Sequence, residues 1–302
     1  MFTSLLSLYI ASILQTDISF RKDDNQPSIV KTASYDLSEI DQNAPVPLKN
    51  HDFIAPVIQA KSSLSMDLRT GLVLFEDNAH QRLPIASLTK LMTTLIVLEE
   101  NNLDDVITVS SKAATVSGST MFLRKDEKIA LKNLVYGMLI SSSNDAAMAL
   151  AEFNAGSEDA FIDKMNKKAL ALGLLNTHFS NPIGLDGKDN YSSAYDLAKL
   201  SRYVYQKTLV QEIAVVKEIK VTSLDGKITH DLVSTNDLLD TKFIRIKGLK
   251  TGTTDQAGLC IVSVAENDAS NEIMTVLLNS PDRFKETKIL AEWTFRAYNW
   301  EK

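Results

Sequence analysis

The chain reads as an α+β protein: one antiparallel sheet flanked by helices, with a mostly helical subdomain inserted between its strands. Three observations predict this. Strand-like runs stand near both ends, at 61–67 and 72–76 and again at 244–249, 259–265 and 273–278. From Pro84 to about Tyr205 the apolar residues recur at helical spacing instead. Neither group of strands can bury a face without the other, so early and late strands share one sheet. That is the segregated order of an α+β fold rather than the alternation of α/β.

The elements follow in order. Residues 2–14 are apolar with scattered serines. The run is too short to cross a bilayer as a helix but fits the core of an export signal or a weak anchor. Residues 15–53 are polar and hold no period of 2 or 3.6, which reads as a flexible spacer. A folded domain is expected over 54–302. Its first two strands flank the turn Leu68-Arg69-Thr70-Gly71. Pro84 precedes a helix carrying Leu88, Leu91, Met92, Leu95, Ile96 and Leu98. Residues 106–109 and 121–123 are short extended pieces. A helix over 131–140 runs into Ser141-Ser142-Ser143-Asn144-Asp145, where Asp145 is placed to cap a helix over 146–153. A further helix over 157–172 closes at Gly173. Asn181-Pro182-Ile183-Gly184 is loop, and Ser193-Ala194-Tyr195-Asp196 opens a helix to about Tyr205 as a capping box. Asp225-Gly226 between 218–223 and 228–232 marks a hairpin. Residues 244–249 lead into Lys250-Thr251-Gly252-Thr253, and an amphipathic helix is expected over 283–300.

Composition excludes several classes. With 44% hydrophobic and 23% charged residues the chain is ordinary globular material. A formal net charge of −6 gives no electrostatic case for nucleic acid. The one cysteine, Cys260, sits in an apolar run and reads as core filler; no intrachain disulfide can form. The four histidines, His51, His80, His178 and His230, form no metal-ligand spacing, so no metal and no cofactor is implied.

Ser87-Leu88-Thr89-Lys90 carries the chemistry. On a helix, positions i and i+3 share a face at about 5–6 Å. A hydroxyl and an amine so placed can act as nucleophile and base without a histidine. Alone the pattern is weak, since S-x-x-K also occurs at Ser19…Lys22 and Ser28…Lys31. Both of those fall in the polar N-terminal segment, where nothing holds a catalytic geometry. S-x-N likewise occurs twice, at Ser142-Ser143-Asn144 and Ser234-Thr235-Asn236, whereas Lys250-Thr251-Gly252 is the one K-T-G. The combination is specific because of its order and setting: a helix start, an interhelical loop and a strand. This motif set is one associated with penicillin-binding proteins and class A β-lactamases.

Over roughly residues 54–300 the chain resembles the serine D-alanyl-D-alanine carboxypeptidases, the low-molecular-weight penicillin-binding proteins of peptidase family S11. The resemblance lies in Pro84-Ile85-Ala86-Ser87-Leu88-Thr89-Lys90-Leu91-Met92-Thr93, Ser142-Ser143-Asn144-Asp145, Phe179-Ser180-Asn181-Pro182-Ile183-Gly184-Leu185 and Gly248-Leu249-Lys250-Thr251-Gly252-Thr253-Thr254. Many members have glycine where Ser143 stands. The resemblance implies a β-lactamase/transpeptidase-like fold and a peptidase that removes the terminal D-Ala of peptidoglycan stem peptides through an acyl-enzyme on Ser87. It implies Lys90 as base, Ser142 as proton relay to the leaving D-alanine, and Asn144 fixing Lys90 and the substrate amide. Lys250, Thr251, Gly252 and Thr253 would bind the substrate's terminal carboxylate, with backbone N–H groups of Ser87 and Thr253 as the oxyanion hole. Arg283 is an equal choice between a carboxylate contact and a surface residue. β-Lactams are the implied covalent inhibitors. The implied place of action is extracytoplasmic, on the wall side of the membrane. Many members continue into a β-rich domain and a membrane anchor, so peripheral membrane contact is expected here through the N-terminus.

A D,D-endopeptidase cutting cross-links fits the same motifs. A class A β-lactamase also needs a deacylating glutamate, and none of Glu152, Glu158, Glu212 or Glu218 lies in an E-x-x-L-N segment. A non-catalytic wall-binding protein would not need Ser87, Lys90 and Lys250 together.

Overall fold

The computed structural model describes residues 46–242 and 244–300. The expected leader and most of the expected spacer lie outside them. In chain order the elements are β1 (Pro47–Lys49), β2 (Ser62–Asp67), β3 (Val73–Asp77), β4 (Leu83–Pro84), α1 (Lys90–Glu100), β5 (Val106–Thr108), α2 (Ser111–Ala114), β6 (Lys128–Ala130), α3 (Leu131–Ile140), α4 (Asn144–Ala155), α5 (Glu158–Ala171), β7 (Tyr191–Ser192), α6 (Ala194–Tyr205), α7 (Thr208–Ala214), β8 (Glu218–Thr222), β9 (Thr229–Val233), β10 (Arg245–Thr254), β11 (Gly258–Glu266), β12 (Glu272–Ser280), α8 (Arg283–Ala297) and β13 (Tyr298–Trp300).

One five-stranded sheet has the order β10-β11-β12-β2-β3, antiparallel throughout. Early and late strands meet where β12 pairs with β2, Met274 opposite Met66 and Val276 opposite Leu64. The sheet is covered on both faces, so its central strands lack the alternation of a half-exposed strand and are apolar or small at nearly every position. Alternate residues still serve different layers. Leu64, Val262, Val264, Met274 and Val276 face the helical block. Ile261, Ala265, Ile273 and Leu277 pack with Leu290, Ala291, Trp293 and Ala297 of α8. Truncating a fully buried leucine such as Leu290 in that layer would cost about 2–5 kcal/mol.

Inside the helical block α1 is buried from Lys90 to Val97. It packs against α4, α5 and α6. Ser157 and Ser193 accept from backbone N–H groups three residues on, as N-caps of α5 and α6.

Several expectations need correction. The last helix stops at Ala297, and β13 pairs with β1 instead of continuing it. Ordered pairing therefore begins at Pro47, inside the expected spacer; a partner at the far end of the chain leaves no local signal. Residues 121–123 form no strand, and β5 pairs with β6. Asp145 is not the cap of its helix. α4 starts two residues earlier than expected, at Asn144, and the Asp145 carboxylate accepts from the N–H groups of Met121 and Leu123 as well as Ala146. The short helices α2 and α7 were not legible, being too brief to show a period. His230 is a satisfied core histidine, bonded to the Met121 carbonyl and, at 2.7 Å, to Glu127. Cys260 is fully buried, and burial raises its thiol to about 11.

Candidate active site

The site forms where the N-terminal end of α1, the start of α4 and strand β10 converge. A 3₁₀ turn, Ala86–Thr89, carries Ser87 into α1, so Ser87 and Lys90 fall one turn apart. Ala86 is left-handed at φ 49°. Such a backbone is uncommon for alanine and persists only where its surroundings enforce it. Here the loop around Gly184 does so. A Cβ at Gly184 would lie 2.1 Å from the Ala86 carbonyl oxygen, and φ there is +88°. Gly252 of β10 approaches from the other side, where a Cβ would stand 3.0 Å from the Ser87 nitrogen. Glycine at both positions lets two segments close on the Ser87 backbone.

Lys90 is 0% exposed despite its length. Its Nζ lies 2.8 Å from Ser87 Oγ, 2.7 Å from Asn144 Oδ1 and 2.5 Å from the Ile183 carbonyl oxygen. Its pKa sits well below the ordinary lysine value. Burial is the main cause, the charge of Lys250 adds to it, and the Asp145 carboxylate opposes both. Asn144 is fixed in turn, its Nδ2 donating to the Ser117 carbonyl and its backbone N–H to that of Ser119.

Lys250 is 1% exposed, and its Nζ donates to the Thr251 carbonyl. Burial first and the Arg283 guanidinium second bring its pKa down to about 7. Arg283, at the start of α8, donates to the Gly252 carbonyl and to Thr253 Oγ1. Its Nε is buried with no partner among the described residues. Lys250 and Arg283 therefore stand together at β10, and among the described residues no carboxylate is bonded to either, an arrangement suited to a small anion.

Of the residues singled out from sequence, Ser87, Lys90 and Asn144 are in direct contact. Lys250, Thr251, Gly252 and Thr253 follow one another along β10. Ser142 is nearly buried at a left-handed φ of 59°. None of the three Lys90 bonds goes to it. Arg283 is bonded to Gly252 and Thr253 of β10. Sequence reasoning missed the Ile183 carbonyl, the opposing charge of Asp145, and Thr235, whose hydroxyl lies 2.5 Å from that of Thr251. Thr235 belongs to the second S-x-N match; a backbone carbonyl carries no residue signature at all.

The family model for D-alanyl-D-alanine carboxypeptidases matches residues 49–282. A D-alanyl-D-alanine carboxypeptidase of Bacillus subtilis is 35% identical over 249 residues, 80% of this chain and 63% of that protein. A D-alanyl-D-alanine endopeptidase of Pseudomonas aeruginosa is 36% identical over 203 residues, 67% of this chain and 65% of that protein. Among solved structures, a Streptomyces DD-transpeptidase superimposes with a TM-score of 0.76 at 28% identity, covering 80% of this chain and 99% of that one. Penicillin binding protein 6B from Escherichia coli gives 0.74 at 33% identity, covering 82% and 81%. The chain thus spans under two thirds of the curated relatives it matches, and it shares the α+β architecture of these solved structures.

Proposed function

The chain belongs to the D-alanyl-D-alanine carboxypeptidase family, and from that premise we propose that it removes the terminal D-alanine of peptidoglycan stem peptides through an ester on Ser87. One observation carries the reading. Two of the three Lys90 partners, the Asn144 amide oxygen and the Ile183 carbonyl, can only accept. A neutral amine has two N–H groups and one lone pair. The two acceptors use both N–H groups, which leaves the lone pair directed at the Ser87 hydroxyl. That is the arrangement a general base requires, and the lowered pKa of Lys90, caused first by burial and then by the Lys250 charge, favours the neutral amine.

In this reading Ser87 Oγ attacks the carbonyl carbon of the penultimate D-alanine as its proton passes to Lys90. The oxyanion rests on the backbone N–H groups of Ser87 and Thr253. The C–N bond then breaks, and the departing amine takes the proton by way of Ser142. Water cleaves the ester and restores Ser87. Lys250, Thr251, Thr253 and Arg283 hold the terminal carboxylate beside Gly252. The incoming anion would draw a proton onto Lys250, and that added charge presses Lys90 further toward neutrality. Substrate binding and activation of the base are then coupled. β-Lactams would acylate the same serine. The described residues include no helix long and apolar enough to cross a membrane. We assign the site of action to the wall side of the membrane, with residues 1–14 as the export signal or anchor, 15–53 as a spacer whose β1 residues pair with β13, and 54–302 as the catalytic domain.

Fluorescent penicillin tests the acyl-enzyme. Covalent label on the wild-type chain and none on Ser87→Ala is expected; an unlabelled wild type, or equal label on both, would sink it. A peptide ending in D-Ala-D-Ala should release D-alanine. Cleavage of a cross-linked muropeptide with no release from the linear peptide would replace the carboxypeptidase by the endopeptidase.

A further inference from the structure

The third partner of Lys90 is a backbone carbonyl, and two side chains outside the motif set decide where it points. Asn181 Oδ1 accepts from three successive backbone N–H groups, those of Ile183 at 3.2 Å, Gly184 at 2.6 Å and Leu185 at 3.1 Å. Its Nδ2 donates to the Leu185 carbonyl at 3.0 Å, so all of the amide's work goes into one turn of loop. Thr93 donates its hydroxyl to the Pro182 carbonyl at 2.7 Å and is 0% exposed. Thr93 stands three residues after Lys90 on α1, on the same helix face. The loop is thus fastened to the face from which Lys90 projects, at the residue just before the one whose carbonyl Lys90 meets.

We propose that Asn181 and Thr93 are positioning residues for the reaction: together they hold the Ile183 carbonyl where it takes one N–H of Lys90, and so aim the remaining lone pair at Ser87. The proposal rests on the acyl-enzyme reading above. With the carbonyl turned away, Asn144 would be the one acceptor-only partner left, Lys90 could spend an N–H on the Ser87 oxygen, and rotation about the Cε–Nζ bond would spread the lone pair over directions that miss the serine. The loss then falls on the chemical step, because neither side chain is part of the carboxylate pocket. Misplacement by about 1 Å at a reacting group can cost on the order of 10²-fold in rate.

The test separates binding from acylation. Penicillin acylation is followed over a range of concentrations to give a limiting rate and a dissociation constant for the non-covalent complex. The proteins are wild type, Thr93→Val, Thr93→Ser and Asn181→Ala, each checked for its fold by circular dichroism and thermal melting. Thr93→Val keeps the shape but cannot donate. Its limiting rate is expected to fall by about 10- to 10²-fold, with the dissociation constant within about twofold. Thr93→Ser, which restores the donor, should recover to within about threefold of wild type. Asn181→Ala should match Thr93→Val or be slower. Wild-type limiting rates in folded Thr93→Val and Asn181→Ala would overturn the proposal. So would a Thr93→Ser as slow as Thr93→Val, or a loss confined to the dissociation constant. Should Asn181→Ala fail to fold, the Thr93 pair decides. An unlabelled wild type would instead remove the acyl-enzyme reading itself.

Discussion

Lys250→Met should make the protein more stable and inactive at once. The wild-type side chain is a buried lysine whose pKa has dropped from the ordinary 10.5 to about 7. At about 1.4 kcal/mol per pH unit that drop corresponds to roughly 5 kcal/mol of destabilisation when the group is charged. Methionine keeps most of the volume and removes the charge. It also gives up the hydrogen bond to the Thr251 carbonyl, and an unsatisfied buried carbonyl costs about 1–3 kcal/mol. The net expectation at pH 6 is a gain of about 3 kcal/mol, or roughly 6–12 °C in Tm.

The sign with pH follows from proton counts. Between about pH 7 and 10.5 the unfolded chain holds a proton on residue 250 that the folded chain does not, so wild-type stability rises with pH across that window. Below about 7 both states are charged and the full cost stands. The variant lacks this slope, so its advantage is greatest at pH 6 and shrinks toward pH 10. Lys90 adds its own slope to both proteins, and because the Lys250 charge is one cause of its lowered pKa that slope is smaller in the variant, so the Lys90 share of the difference also shrinks as pH rises. Thermal melts of the two proteins at pH 6, 8 and 9.5 measure it, with penicillin labelling alongside. A variant that melts below wild type at pH 6, or a difference that does not change with pH, would refute the reasoning. The same variant should acylate slowly even in excess penicillin, because losing Lys250 removes the charge that, after burial, lowers the Lys90 pKa.

Three other outcomes can be checked. Asn144→Asp places a carboxylate about where Oδ1 now stands, 2.7 Å from Lys90 Nζ; an opposite charge favours the ammonium form, so acylation at pH 7 should fall by at least about 10²-fold and recover in part at higher pH. Gly184→Ala adds a Cβ 2.1 Å from the Ala86 carbonyl oxygen at a left-handed φ, so the loop must move; stability should fall by about 3 kcal/mol and labelling should be lost, measured by urea denaturation and fluorescent penicillin. Glu127→Ala leaves one ring nitrogen of the buried His230 without its partner, the other being bonded to the Met121 carbonyl; a cost of about 1–3 kcal/mol is expected for the unsatisfied buried group, and an unchanged urea midpoint would show that the pair does not hold the 121–127 segment.

Much of the fold was legible because its signals are local. The α3 helix shows its apolar side, Asp225-Gly226 marks the β8–β9 hairpin, and Ser193 with Asp196 opens α6. What stayed hidden depends on partners far away in the chain. Pro47–Lys49 gains its strand character from Tyr298–Trp300, and Asp145 is drawn into holding Met121 and Leu123. The candidate site divides along the same line. Ser87, Lys90, Asn144 and Lys250 are legible because each is a residue type whose chemistry is its side chain.

The environment that tunes those side chains is written mostly in backbone. Ile183 could be replaced by many residues without changing the carbonyl that Lys90 meets. Gly184 and Gly252 matter for the atoms they lack, which lets two segments approach Ser87. Arg283 acts on Lys250, and Lys250 on Lys90, through charge across elements that meet only after folding. A serine and a lysine three residues apart therefore specify which atoms can react. Whether the lysine is neutral, and where its lone pair points, is decided by a loop, a strand and a helix that neither residue belongs to. The Lys250 and Asn144 substitutions test the first of these conditions and the Thr93 pair the second, and a site in which only one set responds would owe its reactivity to that condition alone.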